Sequence, residues 1–177
     1  MKYDITENYS CSFFGHRNTI LTDGEKNKLE RLIENLIRKG VKTFLFGNKS
    51  KFYEECHKIV SDLMAKYEGL KRVMYVVKSQ GIIFSFQKEK WQKRYNEMGL
   101  KDYIIDVEEK REFKNINYAG KASYIERNLE MIDESDYCIF YYNEIFTKKL
   151  KTKSGTALAY DYAMKKKKKI INLTNEI

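Results

Sequence analysis

Short apolar runs alternate with longer segments whose apolar residues recur every three or four positions, and the alternation persists along nearly the whole chain. The short runs, at residues 10–14, 43–46, 72–77, 102–107, 137–142 and 170–173, are predicted strands. Runs of this kind, alternating with amphipathic segments, belong to a parallel sheet covered on both faces. Leu29, Leu32, Ile33, Leu36 and Ile37 predict a helix that opens on Thr22-Asp23-Gly24-Glu25, a capping-box pattern, and stops at Gly40. A second helix is predicted over residues 50–67, where Phe52, Cys56, Ile59, Val60, Leu63 and Met64 share one face. Further helices are expected over 87–98, over 122–133 with Ile125, Leu129 and Ile132 turned inward, and from Ser154 to about residue 166. The polar stretch 108–120 reads as a loop. The predicted fold is α/β, a Rossmann-like three-layer sandwich with a mainly parallel sheet of about six strands, and residues 1–177 read as a single domain without linker or repeat.

Composition narrows the class. With 42% hydrophobic and 33% charged residues the chain reads as globular and soluble, and no apolar run approaches the roughly 18 residues of a membrane helix. The first nine residues are polar and acidic, unlike a signal or transit peptide. Cys11, Cys56 and Cys138 are odd in number and sit in apolar stretches, which fits buried thiols in a reducing cytoplasm. The formal charge of +9 invites a nucleic-acid reading, but the lysines are scattered among glutamates as on solvated helix faces. The dense run Lys165 to Lys169 closes the last helix, where cations complement the helix dipole.

In an open parallel sheet, ligands bind beyond the carboxyl ends of the strands, where neighbouring connections diverge. Strands 10–14, 43–46 and 72–77 are expected side by side, with 137–142 returning to the other flank of the first. Three segments would then meet at one crevice: Gly15-His16-Arg17, Gly47-Asn48, and the loop from Asn143 to Thr156. Ser154-Gly155-Thr156 at a helix start offers open backbone amides and the positive end of the dipole to a phosphate, although Ser154 could equally be a simple N-cap. Arg17 suits bidentate contact with a phosphate or carboxylate, and His16 a hydrogen bond or proton transfer; the plainer alternatives are a surface cation and a turn residue. Asp136 is as readily a turn residue as a catalyst. Tyr141, Tyr142, Tyr160 and Tyr162 gather near the crevice, where one could stack on a base. The sequence calls for no metal or cofactor: His57 beside Cys56 is no zinc site, and Walker, Gly-x-Gly-x-x-Gly and Gly-x-Ser-x-Gly patterns are missing.

The opening Cys11-Ser12-Phe13-Phe14-Gly15-His16-Arg17 resembles that of the YpsA-like branch of the SLOG superfamily, which also holds the DprA-type and Lonely-guy proteins. Phe44-Leu45-Phe46-Gly47, Arg127-Asn128 with Met131-Ile132-Asp133, and Ser154-Gly155-Thr156 leading to Tyr160 and Ala163 extend the resemblance over residues 10–173. It implies a Rossmann-like fold and a pocket for nucleotide-derived ligands lined by His16, Arg17, Gly47, Arg127, Asn128, Ser154, Gly155 and Thr156. Two departures stand out. Gly47 leads into Asn48-Lys49-Ser50-Lys51 rather than a glycine-rich turn, so Lys49 or Lys51 could supply charge there. The Gly-Thr step is followed by Ala157-Leu158-Ala159, without the glutamate of Lonely-guy hydrolases.

Three functions are therefore weighed, in this order. The first is a non-catalytic module that senses or sequesters a phosphorylated, nucleotide-like small molecule such as an ADP-ribose derivative. The second is an N-glycosidase or transferase using Glu144, with Asp136, as carboxylate. The third is association with single-stranded nucleic acid. No membrane partner is expected, and an uncovered helix face or edge strand would allow a homo-oligomer.

Overall fold

A computed structural model describes residues 7–48, 50–77, 93, 97, 106–113, 116, 120–143 and 154–175. Six strands form one sheet: β1 (Tyr9–Gly15), β2 (Val41–Phe46), β3 (Lys71–Val77), β4 (Glu109–Phe113), β5 (Tyr137–Tyr141) and β6 (Lys169–Asn172). Every pairing is parallel, in the order β4-β3-β2-β1-β5-β6. Helix α1 (Asp23–Arg38) joins β1 to β2, and α2 (Lys51–Leu63) joins β2 to β3. Helix α3 (Lys121–Asp133) leads into β5, and α4 (Gly155–Lys165) joins β5 to β6. The chain thus adopts the expected α/β, Rossmann-like arrangement, with the order reversing between β1 and β5.

Period-two alternation makes the two-sided core. On β1, Cys11 and Phe13 join α1 and α2 in one cluster, while Phe14 joins α3 and α4 in the other. On β2, Phe44 and Phe46 face the first cluster and Leu45 the second. All three cysteines are buried, free thiols. The α1 start follows its sequence signature: Thr22 Oγ1 accepts from the Glu25 amide at 3.2 Å, and Glu25 Oε2 accepts from the Thr22 amide at 2.8 Å. Gly40, at φ 99°, takes the left-handed conformation that ends the helix. At the far end, Asn172 grips the Tyr142 backbone on both sides, its Oδ1 accepting from the amide at 3.2 Å and its Nδ2 donating to the carbonyl at 2.8 Å.

The structure corrects the fourth strand. It is Glu109–Phe113, inside the stretch read as a loop, whereas Asp106 and Val107 lie outside any strand and residues 102–105 fall outside the described residues. The reason is chemical: β4 is an edge strand of sequence Glu-Lys-Arg-Glu-Phe, held by polar contacts rather than an apolar face. Glu109 pairs with Lys71, and Arg111 bonds the Tyr75 hydroxyl at 2.7 Å and the Glu134 carboxylate. Of the helix expected over 87–98, only Lys93 and Glu97 are described, both helical. Helix α2 ends at Leu63 and continues as turns through Tyr67.

Arg72 fastens the segment entering β4. Buried at the start of β3, it meets Glu108 through its amide at 2.7 Å and its guanidinium at 2.7 Å, and reaches Asp106 at 3.2 Å. Burial pushes the Glu108 carboxyl up, but the hydrogen bonds and charge of Arg72 outweigh it and leave it below its ordinary 4.5. Glu108→Gln is expected to lower stability at neutral pH by about 1–2 kcal/mol in urea unfolding. A depressed carboxyl contributes stability above its unfolded pKa and loses it as pH falls through the folded value, so parent and variant should converge once the pH lies below the depressed folded pKa. A gap unchanged at acid pH would remove Glu108 from this role.

Candidate functional site

The carboxyl ends of the strands open into a crevice of about 420 Å³, and the segments drawn together there come from all parts of the chain. Gly15, His16 and Arg17 enter from the end of β1, Asn48 and Ser50 from the β2–α2 turn, and Ser154, Gly155 and Thr156 from the start of α4. Arg127 and Asn128 reach in from the second turn of α3, whose first turn adds Lys121 and Tyr124. Gly47 stands behind the lining. A Cβ built there would fall 2.6 Å from the Tyr53 ring and 2.8 Å from Arg127 Cζ, so the missing side chain is what leaves room for the guanidinium.

Arg127 dominates the electrostatics. It is 3% exposed, and its guanidinium meets no carboxylate among the described residues. Nε and Nη2 donate to Asn128 Oδ1 at 3.3 and 3.0 Å, while Nη1 has no hydrogen-bond partner. Two aromatic faces flank it, with Cζ 5.7 Å from the Tyr53 ring centroid and 5.2 Å from that of Tyr124. Rings and an amide orient the cation without neutralising it. Arg17 lies over Tyr124 at 5.9 Å. With Lys121, the described lining carries three cations and no carboxylate. Burial lowers the pKa of His16, favouring its neutral form, and raises that of Tyr53, which the Arg127 charge partly offsets.

Several expectations change. The inward face of α3 is not the one expected from Ile125, Leu129 and Ile132, because Arg127 and Asn128 belong to it. They lie on the buried face with Ser123, Met131 and Ile132, whereas Ile125 and Leu129 are half-buried. The helix turns this face inward because Arg127 and Met131, like Asn128 and Ile132, are four residues apart, placing the polar pair at the crevice and the apolar pair beneath it. Ser154 does act as an N-cap, accepting from the Ala157 amide at 3.1 Å, while the Gly155 position faces open space. Asp136 lies at the opposite end of the sheet, where its carboxylate accepts from the Ser10 amide at 2.9 Å. Glu144 falls outside the described residues. Of the four tyrosines expected near the crevice, Tyr141 donates to Glu25 and Tyr162 to Asp133, while Tyr142 packs on Tyr160 and lies 6.5 Å from the ring of His16 at the crevice edge. The aromatics that line it are Tyr53 and Tyr124. Tyr124 lies one helical turn before Arg127 and Asn128, a spacing that could have flagged it.

Residues 13–176 match the family model described as the YspA SLOG family. The chain belongs to that family. No curated protein matches it. Among solved structures, this SLOG chain is similar to DNA processing protein A from Helicobacter pylori, studied for its single-stranded DNA binding mode. The TM-score is 0.56 at 18% identity, covering 97% of this chain and 72% of that one, a likeness of fold. No helix among the described residues of this SLOG protein is long and apolar enough to cross a membrane, and none of its described His, Cys, Asp and Glu residues form a metal-binding group.

Close packing at Gly15 holds the α2 end of this SLOG crevice. A Cβ there would fall 2.5 to 3.0 Å from Phe52 Cδ1, Cγ and Cβ, the root of the side chain, so helix and strand would have to part. Gly15→Ala should cost about 1–3 kcal/mol in denaturant unfolding. A variant as stable as the parent would show that the contact is not tight.

Proposed function

We propose that the crevice binds a phosphorylated, nucleotide-like small molecule, as a sensor or sequestering module. The observation that carries this reading is Arg127, a buried guanidinium with an unpaired N–H group and no described carboxylate. Burying such a charge is costly, and a fold that retains one gains most when an anion arrives to pair with it. The start of α4 adds amides and dipole to the same anion, and the flat faces of Tyr53 and Tyr124 suit a base or ribose. His16, Arg17, Asn48, Asn128 and Thr156 complete the proposed contacts.

The test exploits the conflict between stability and binding. Arg127→Met removes an unpaired buried charge, so the ligand-free variant should melt about 2–4 °C higher, corresponding to about 1 kcal/mol. The parent should be stabilised by ADP-ribose or a nucleotide, by about 2.7 kcal/mol at a hundredfold excess over Kd. That stabilisation should vanish in the variant, and chromatography should recover the ligand intact from the parent. A destabilised variant that keeps the ligand response would overturn the proposal; steady release of free base would favour the glycosidase reading.

A second reading, single-stranded nucleic acid, draws on the fold shared with DNA processing protein A and on the +9 charge. It expects binding to an unstructured oligonucleotide that weakens steeply with salt, with a log–log slope of about −0.7 per phosphate contacted. Absence of binding at low salt would end it.

A further inference from the structure

We infer that the crevice contains a second phosphoryl subsite, at the start of α2, and that its ligand is accordingly a diphosphate rather than a monophosphate; this rests on the anion-binding reading above. The start of α2 differs from that of α4. Ser154 uses its hydroxyl to cap its own helix, as an N-cap serine ordinarily does. Ser50 occupies the same position before α2, in extended backbone at φ −141° and ψ 135°, yet makes no side-chain cap bond. Its Oγ is instead buried among the crevice residues, in a residue 4% exposed, and has no hydrogen-bond partner. A buried hydroxyl without a partner opposes folding, and capping its own helix would have given this one a partner.

The turn it opens is also short of acceptors. The Lys51 amide donates to the Arg17 carbonyl at 3.0 Å, which ties the end of the β1 loop to the helix. The next two amides, of Phe52 and Tyr53, lack the side-chain oxygen an N-cap supplies. Gly15 lets Phe52 pack hard against the end of β1, bringing this turn to the crevice. Arg127 stands beside it, over the Tyr53 ring. One anion at the α4 start would leave Ser50 Oγ unsatisfied. Two linked phosphoryl groups would satisfy both helix starts, with Arg127 available to the pair.

The experiment is calorimetric titration of the full chain and its Ser50→Ala variant with AMP, ADP and inorganic pyrophosphate. Because Ser50→Ala removes an unsatisfied buried hydroxyl, it should fold and melt no lower than the parent. The parent should bind ADP at least about tenfold tighter than AMP, and the variant should narrow that ratio to within about threefold. Equal affinity of the parent for ADP and AMP would overturn the second subsite while leaving an anion-binding crevice intact. A ratio unchanged by Ser50→Ala would overturn the role of the α2 start. No binding of any of the three would overturn both readings together.

Discussion

A guanidinium buried without a carboxylate among the described residues is the constraint around which this end of the molecule is arranged. Most buried arginines neutralise their charge locally, as Arg72 does with Glu108 and Asp106. Arg127 is treated otherwise: one amide oxygen and two aromatic faces hold it, and none of these carries a formal negative charge. Gly47 clears space for it, and α3 turns its polar pair inward to place it. The same protein thus contains a buried arginine paired with carboxylates and another with none among the described residues, at opposite ends of one sheet. The first fastens an edge strand. The second holds a charge in reserve.

Buried polar groups left without a partner among the described residues oppose folding, and the crevice gathers Ser50 Oγ and Arg127 Nη1 of this kind. The two clusters on either face of the sheet carry that burden, since strands apolar on both sides bury large aromatics such as Phe13, Phe14, Phe44 and Phe140 almost completely.

Much of the fold was legible in the sequence because local chemistry and global arrangement agreed. Thr22 and Glu25 announced α1, and double-faced apolar runs announced the central strands. The crevice follows from topology, which brings Gly15, His16, Arg17, Asn48 and the Ser154 turn together at the strands' carboxyl ends. Strand β4 was hidden because charged edge residues carry no apolar period. The orientation of α3 was hidden because periodicity arguments send charged residues outward, and Arg127 violates that rule. Tyr53 and Ser50 are legible only through tertiary contacts, for a helix face that is buried can be buried against a cavity as well as against a core.

The grip of Asn172 on the Tyr142 backbone extends this thinking to the far strand. That side chain imitates a further rung of the ladder between β5 and β6, exchanging two hydrogen bonds with a residue one step beyond β5. The path by which the polypeptide leaves the sheet toward the α4 start is therefore anchored by the last strand. A truncation, fusion or proteolytic cut that dislodges Asn172 would be felt beside the crevice, where Tyr142 neighbours His16, although the cut itself lies outside the lining.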